Sequence, residues 1–452
     1  MPAAKTFYVK NFGCRATQAD GAAVAADLAA RGLRVESASS AADVVIVNTC
    51  TVTHQADQDA RQTVRRLHRE NPGAEILVTG CYAQRRPAEL SALPGVKWVV
   101  GNSHKAVIGD IVAPRLIQID GLTHPGGLAY HGEIREGGTL VGDIFERQTF
   151  LSAAVVEAGQ DRTRPNLKIQ DGCNNRCRFC VIPSVRGSSR SAPAERVIEQ
   201  IRGLAARYSE VVLTGIHLGR WGRDLPGRPR FAALLRRVLA ETEVGKLRIS
   251  SVEPMDWTSD LLDLFSSDDR ICKHIHIPLQ SGSDAVLKAM RRRYRARHYA
   301  DRVGRARALM PAAAIGADVM VGFPGETDED FEATRQLVAD LPFTYLHVFS
   351  YSQRPGTEAA EMPGQVPAPV KKLRNRILRE QIAEKNLTYR QSLVGSRFSA
   401  VILDQHGHGE TQALTDNYIR VALDAPTPSP GKLADVVITS CNADSTRARI
   451  LN

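Results

Sequence analysis

Residues 167–180, LKIQDGCNNRCRFC, decide how this chain is read. The segment opens as a short apolar strand-like run and ends in three cysteines, Cys173, Cys177 and Cys180, with Phe179 just before the last. Three thiolates spaced CxxxCxxC can reach three corners of one iron–sulfur cubane and leave the fourth iron without a protein ligand, open to a small molecule. The other reading is structural zinc. Zinc usually takes four ligands in paired CxxC or Cys/His form, and no further Cys or His follows at a suitable distance.

Downstream, strand-like runs recur at 210–216 (EVVLTGI), 246–254 (KLRISSVEP), 273–282 (KHIHIPLQSG), 316–327 (GADVMVGFPGET) and 344–357 (TYLHVFSYSQRPGT), with helix-compatible segments between them. Counting the run at 167–173, six β/α units predict an incomplete form of the closed eight-unit barrel, whose chemistry sits at the carboxyl ends of the strands. His217, His274, His276 and His347 fall near these ends but lack metal-ligand spacing in sequence, so they read as packing or hydrogen-bonding residues. The arginine-rich run 291–308 reads as a helix, solvated or turned towards phosphate. A basic helix follows at about 369–392. Short β runs over 391–452 then predict a small β-barrel or sandwich.

Upstream, three β-rich runs, TFYVKNFGC (6–14), DVVIVNTC (43–50) and EILVTGC (75–81), alternate with helical stretches. That βαβα pattern predicts a doubly wound parallel sheet, in which ligands sit outside the carboxyl ends of the strands. Each run ends in cysteine. Cys14, Cys50 and Cys81 are therefore expected to converge on one rim, although buried structural thiols at strand ends are also common. Cys272 and Cys441 stand alone and read as ordinary thiols. Between about 111 and 160 the periodicity fades into a glycine-rich connector with room for a short hairpin. The expected organisation is thus 1–110, connector 111–160, barrel 161–390 and β domain 391–452.

The 452 residues exceed one ordinary core, and 59 Lys and Arg against 49 Asp and Glu give a net charge of +10, compatible with a polyanionic partner. No apolar run is long enough to span a bilayer, and the N-terminus turns polar before a signal-peptide core could form. A cytoplasmic protein without a membrane partner is expected, with cysteines that serve something other than disulfides.

The CxxxCxxC array after a barrel-opening strand resembles the radical S-adenosylmethionine superfamily. The order of parts, a three-cysteine α/β domain, a radical barrel and a small β domain, resembles its methylthiotransferase family over essentially the whole chain. The words NTCTVTHQADQDARQ, VTGCYAQ, VLTGIHLGRWGRD, RISSVEP, HIPLQSGSD, GADVMVGFPGET and HVFSYSQRPGTEAAEMPGQV are most similar to the branch acting on N6-threonylcarbamoyladenosine in tRNA. The isopentenyladenosine branch typically has a Ser-Ile-Arg type sequence where this chain has Thr51, Val52 and Thr53. One departure stands out: the family's first motif usually places Asn three residues after its cysteine, and here that residue is Thr17.

The resemblance implies two [4Fe-4S] clusters, a catalytic one on Cys173, Cys177 and Cys180 and an auxiliary one on Cys14, Cys50 and Cys81. It implies S-adenosylmethionine as cofactor, tRNA as substrate, an electron donor of flavodoxin or ferredoxin type, and an RNA-binding TRAM module at the C-terminus. Under it, a 5′-deoxyadenosyl radical removes hydrogen from adenine C2 and a second S-adenosylmethionine supplies the methyl group carried on sulfur. Thr214 and Gly215 occupy the place of the superfamily's glycine-rich motif, and Glu253, Gln280 and Ser281 are candidates to contact S-adenosylmethionine or substrate; Gly215 is equally consistent with a turn and Glu253 with a helix cap. The rival readings are the same chemistry on isopentenyladenosine tRNA or a ribosomal-protein aspartate, and a non-catalytic iron–sulfur or zinc RNA-binding protein.

Overall fold

The computed structural model describes residues 5–114, 137–146, 163–403, 410–424 and 428–451. They form two compact units: a first from within Met1–Gln160, Asp171–Asn175 and Cys180–Arg190, and a second from within Asp161–Gln170, Arg176–Phe179 and Ser191–Asn452.

The first unit is built on a parallel sheet of β1 (Thr6–Asn11), β2 (Arg34–Val35), β3 (Val44–Thr49), β4 (Glu75–Gly80), β5 (Val96–Gly101) and β6 (Gly138–Leu140), in the order β2-β1-β3-β4-β5-β6. Strand alternation sends successive side chains to opposite faces. Val45, Val47, Ile76, Val78 and Val99 therefore join one apolar cluster, completed by Ala60, Val64 and Leu67 of the helix His54–Glu70. Val44, Ile46, Leu77, Trp98 and Val100 join the other, with Val24 and Leu28 of the helix Arg15–Ala30. Each such side chain, fully buried, contributes about 1.5–3 kcal/mol. Both faces are covered, which is the doubly wound arrangement that the alternating runs predict.

Part of the glycine-rich connector joins the sheet. Gly138–Leu140 pairs in parallel with Trp98–Val100 and becomes the sixth strand. Residues this poor in apolar side chains are held by backbone pairing, which periodicity does not reveal. The rest of the expected hairpin region lies outside the described residues.

The second unit carries six parallel strands, and between the first two of them the chain forms a separate pair of two-residue strands, β8 (Gln170–Asp171) and β9 (Arg190–Ser191). The six are β7 (Asn166–Lys168), β10 (Glu210–Thr214), β11 (Lys246–Ile249), β12 (His274–His276), β13 (Ala314–Val321) and β14 (Tyr345–Ser350), in two sheets ordered β11-β10-β7 and β12-β13-β14. A bridge from Leu247 to Ile271 links the halves into the expected partial barrel. The arginine-rich helix starts only at Ala296, because Arg291 takes a positive φ of 58° and turns the chain first. Several of its arginines are committed within the protein: Arg307 donates to the carbonyls of Ala313 and Pro342, and Arg305 pairs with Asp263.

After the helix Ala368–Ser392, the strands β15 (Arg397–Ile402), β16 (Gln412–Thr415), β17 (Arg420–Leu423), β18 (Leu433–Cys441) and β19 (Thr446–Ile450) close into a barrel ordered β15-β16-β17-β19-β18. Its β16–β17 turn seals the amino-terminal end of the partial barrel. Tyr418, held at φ 67°, stacks on His274 with ring centroids 4.0 Å apart, and Asn417 donates to the carbonyl of Ala312 at 3.0 Å. Arg248 is wholly buried, clasps Glu210 at 2.7 and 3.0 Å, and donates to the carbonyls of Thr415 and Asp416. Arg164 adds a second cation to Glu210 at 3.2 Å. These neighbours hold the Glu210 carboxylate below its usual range although burial alone would raise it.

Breaking a buried pair leaves an uncompensated charge. Arg248→Ala is expected to destabilise the second unit by about 3 kcal/mol, read as a lower urea midpoint in the emission of Trp221 and Trp257. An unchanged midpoint would remove this clamp from the account of the fold.

Candidate cluster sites

Strands β1, β3 and β4 are consecutive neighbours in the sheet, and each hands the chain to a cysteine at its carboxyl end. Cys14 caps the helix Arg15–Ala30, Cys50 follows β3 directly, and Cys81 opens the helix Cys81–Arg85. Glycines make the approach close enough. At Gly13, φ 82°, an added Cβ would stand 2.6 Å from Cys50 Cβ and 2.8 Å from its Sγ; at Gly80, φ 99°, it would stand 2.4 Å from the Thr49 carbonyl oxygen. Cys50 and Cys81 are buried and Cys14 is exposed, so the set opens to solvent on one side.

The three thiols feel one another. Burial, then the proximity of Cys81 and, more weakly, of Cys14, push the Cys50 thiol up to about 12, opposed by Arg186 and a backbone N–H. Around them stands a buried polar network. Arg186 donates to Asp171 Oδ1 at 2.8 Å, Asp20 Oδ2 at 3.1 Å and Thr17 Oγ1 at 3.2 Å. Burial works against its charge, but Cys81, Asp171, Asp20 and Cys14 together hold it firmly protonated. Lys105 reaches the same Asp20 at 3.2 Å and Asn48 Oδ1 at 3.3 Å. Asn102 donates to Cys81 Sγ at 3.6 Å, and Thr17 Oγ1 lies 3.5 Å from Cys14 Sγ. Thr17, the departure noted in the sequence, is thus a polar neighbour of both the first cysteine and Arg186.

The second set, Cys173, Cys177 and Cys180, lies on one loop with each thiol half-exposed. Gly172, φ 70°, lets the chain pass where a Cβ would meet the Ser188 carbonyl oxygen at 2.0 Å. The Asn175 N–H points at Cys173 Sγ, 3.4 Å away. Phe179 packs edge-on against the buried Phe323, with ring centroids 6.4 Å apart, and so anchors the loop's aromatic residue. Arg292 donates to Cys177 Sγ at 3.5 Å and pairs with Glu253. Its guanidinium is buried, and Tyr294, Glu253 and Cys177 keep it charged against that burial.

The other sequence candidates divide. Glu253 reaches the cysteine loop through Arg292. Thr214 is buried at the end of β10, where its carbonyl accepts from the Ile169 N–H at 3.0 Å. Gly215 has Gln170 and Leu218 within 3.0 Å of where a Cβ would stand, so close packing already requires glycine there. Gln280, φ 67°, ties its backbone to Asp318 and Met320 of β13. Ser281 is fully buried, with its hydroxyl committed to Thr334 and the Ser283 N–H. Sequence spacing missed one grouping: His276, Asp318 and His347 bring their ligand atoms within 4.8 Å of one another. Three separate strands supply them, so only register reveals the set.

The donor chemistry suits iron–sulfur clusters. Each cysteine set offers three thiols, one short of the four ligands that structural zinc takes, and three thiolates suit three corners of a cubane. Buried Arg186 and Arg292 supply positive charge beside the thiols.

Known proteins agree. Residues 6–101 match the uncharacterized protein family UPF0004, and residues 167–338 the radical SAM superfamily. The threonylcarbamoyladenosine tRNA methylthiotransferase MtaB of Bacillus subtilis is 40% identical over 88% of this chain and 85% of its own length. That of Aquifex aeolicus is 35% identical over 95% and 99%. A tRNA-2-methylthio-N(6)-dimethylallyladenosine synthase of Syntrophobacter fumaroxidans is 32% identical over 100% and 97%. Among solved structures, the radical S-adenosylmethionine methyltransferase TsrM of Kitasatospora setae, with cobalamin and a [4Fe-4S] cluster bound, shares the fold at a TM-score of 0.57 and 15% identity, over 79% of this chain and 77% of that one. Its two cysteine sets, its folds and these relatives together establish that the chain belongs to the radical S-adenosylmethionine tRNA methylthiotransferases.

Proposed function

We propose that this protein is a cytoplasmic enzyme that converts N6-threonylcarbamoyladenosine, next to the tRNA anticodon on its 3′ side, into its 2-methylthio derivative. The observation that carries the reading is the convergence of Cys14, Cys50 and Cys81 on adjacent strand ends, in addition to the CxxxCxxC loop. One cluster suffices to make a radical; inserting sulfur calls for a second centre. The choice of substrate rests on the relatives named for threonylcarbamoyladenosine, which reach 40% identity where dimethylallyladenosine synthases reach 34%.

Cys173, Cys177 and Cys180 would hold the catalytic [4Fe-4S] cluster and Cys14, Cys50 and Cys81 the auxiliary one. When bound, these clusters supply reductive cleavage of S-adenosylmethionine and a site for the sulfur to be transferred. The protein's own part is ligation, charge and placement. Arg186 and Lys105 offset negative charge at the first set, and Arg292, fixed by Glu253, does so beside Cys177. Thr214, Gly215, Gln280 and Ser281 then shape the strand ends through backbone and packing. The C-terminal barrel exposes Arg397, Arg420, Lys432 and Arg449, cations suited to an RNA backbone as in a TRAM module. A small flavodoxin- or ferredoxin-type protein would deliver the electrons.

Replacing Cys14, Cys50 and Cys81 together by alanine is expected to remove about four of about eight irons per chain and to abolish methylthio transfer. Replacing Cys173, Cys177 and Cys180 should remove the other irons and end 5′-deoxyadenosine formation. Full iron content in either variant would refute the ligand assignment. Mass spectrometry of tRNA nucleosides tests the substrate. Anaerobic holoenzyme with reductant and S-adenosylmethionine should add a methylthio group to threonylcarbamoyladenosine, and modification confined to dimethylallyladenosine or to a protein would overturn the choice.

A further inference from the structure

Strands β12, β13 and β14 present two faces. Ala317, Val319, Val321 and Val348 are buried, and Asn375 of the helix Ala368–Ser392 donates to the Val348 carbonyl on that side. The opposite face, on the inside of the partial barrel, carries Gly316, Asp318 and Met320 from β13 and Tyr345, His347 and Phe349 from β14. Parallel pairing sets His276 beside Gly316 and Asp318 beside His347. The inside of a closed β/α barrel is ordinarily filled by bulky branched side chains. Here it also carries three imidazoles, of His274, His276 and His347, and the carboxylate of Asp318.

His276 is only 9% exposed. Its Nε2 stands 3.3 Å from Asp318 Oδ1, near enough for an ion pair yet off the angle of a hydrogen bond, so that buried atom has no hydrogen-bond partner among the described residues. The His276 and His347 rings lie 5.6 Å apart, tilted by 48°. Asp318 is part-exposed and His347 exposed, so the group faces open space on one side. Below it, Tyr345 and the Tyr418 stack close the amino-terminal end of the strands. The result is a polar set with stacked rings on one side and exposed His347 on the other.

We propose that His276, Asp318 and His347 form the subsite that selects the polar substituent on the target adenosine. This deepens, and rests on, the reading of the protein as a methylthiotransferase of N6-substituted adenosine in tRNA. A threonylcarbamoyl group offers a carboxylate, a hydroxyl and ureido N–H groups. Imidazole N–H groups donate to the carboxylate, while Asp318 accepts from the hydroxyl or a ureido N–H. A dimethylallyl group offers none of these, and burying it here would strip water from three polar side chains without replacing its hydrogen bonds. Sites built to hydrogen-bond a substrate reject analogues that lack the partner groups far more strongly than apolar pockets reject a change of size.

The test uses reconstituted, anaerobic holoenzyme and two anticodon stem-loop RNAs that differ only in the N6 substituent, threonylcarbamoyl or dimethylallyl, titrated by fluorescence anisotropy. The variants are Asp318→Asn, which keeps shape, and His347→Ala, at an exposed position. Each is expected to weaken binding of the threonylcarbamoyl RNA by roughly ten- to a hundredfold, the range for a lost hydrogen bond to a charged group. The dimethylallyl RNA is the internal reference. Loss confined to the threonylcarbamoyl RNA supports the proposal; equal losses on both, or none, overturn it. Binding of one Mn2+ per wild-type chain, followed by electron paramagnetic resonance and abolished in Asp318→Asn, would also overturn it in favour of a cation site, since two imidazoles and a carboxylate suit divalent metals. If the wild type shows no preference for the threonylcarbamoyl RNA, the substrate assignment itself fails; if the wild type prefers it and the variants retain that preference, the subsite alone fails.

Discussion

Adjacency of three parallel strands is the constraint on which this molecule depends. β1, β3 and β4 neighbour one another, so residues as far apart in sequence as Cys14 and Cys81 arrive at one rim. The strand order reverses beside β1, and a doubly wound sheet opens its crevice at such a switch point, outside the carboxyl ends of the strands. Cysteine placed one to three residues beyond each strand then lines the crevice without disturbing the ladder. Gly13 and Gly80 make that placement possible, because any side chain there would strike Cys50 or the β3 backbone.

Convergence creates an electrostatic problem that the surrounding residues answer. Of the three thiols Cys50 and Cys81 are buried, and the upward push on Cys50 shows the cost of placing negative charge there unaided. Arg186 and Lys105 bring compensating charge, and Asp20 and Asp171 keep those cations from being stranded in turn. Arg186 follows the CxxxCxxC loop by six residues, and Asp171 precedes it by two. Both flanking residues therefore belong to the polar network around Cys14 and Cys81. Arg292 and Glu253 do for Cys177 what Arg186 and the aspartates do for Cys14 and Cys81.

Much of this is legible in the sequence because the relevant signals are periodic or local. Alternating apolar runs give both parallel sheets, and the cysteine at the end of each N-terminal run gives the shared rim. What escapes is set by register and by backbone. Gly138–Leu140 joins the sheet with little side-chain signal, and the helix expected from residue 291 waits for Ala296 because Arg291 turns the chain. Ser281 and Gly215 look like ligand contacts from their strand-end positions, yet packing and turn hydrogen bonds already account for their identities. His276, Asp318 and His347 look unrelated at spacings of 42 and 29 residues, the differences between their numbers. Only the pairing of β12 with β13 and of β13 with β14 makes them one group.

The two ends of the partial barrel are consequently treated in opposite ways by the same chain. At the amino-terminal end charges are paired and rings are stacked: Glu210 is held by Arg248 and Arg164, Lys246 meets Asp416, and Tyr418 covers His274. Burying so many charges is tolerable only because each has a partner. Higher in the same barrel, His276 is left with a buried nitrogen close to Asp318 but off the line of a hydrogen bond. Paired charges thus occupy one end of these strands, and a polar set stands a few residues further along them. The C-terminal barrel joins the paired end through its β16–β17 turn.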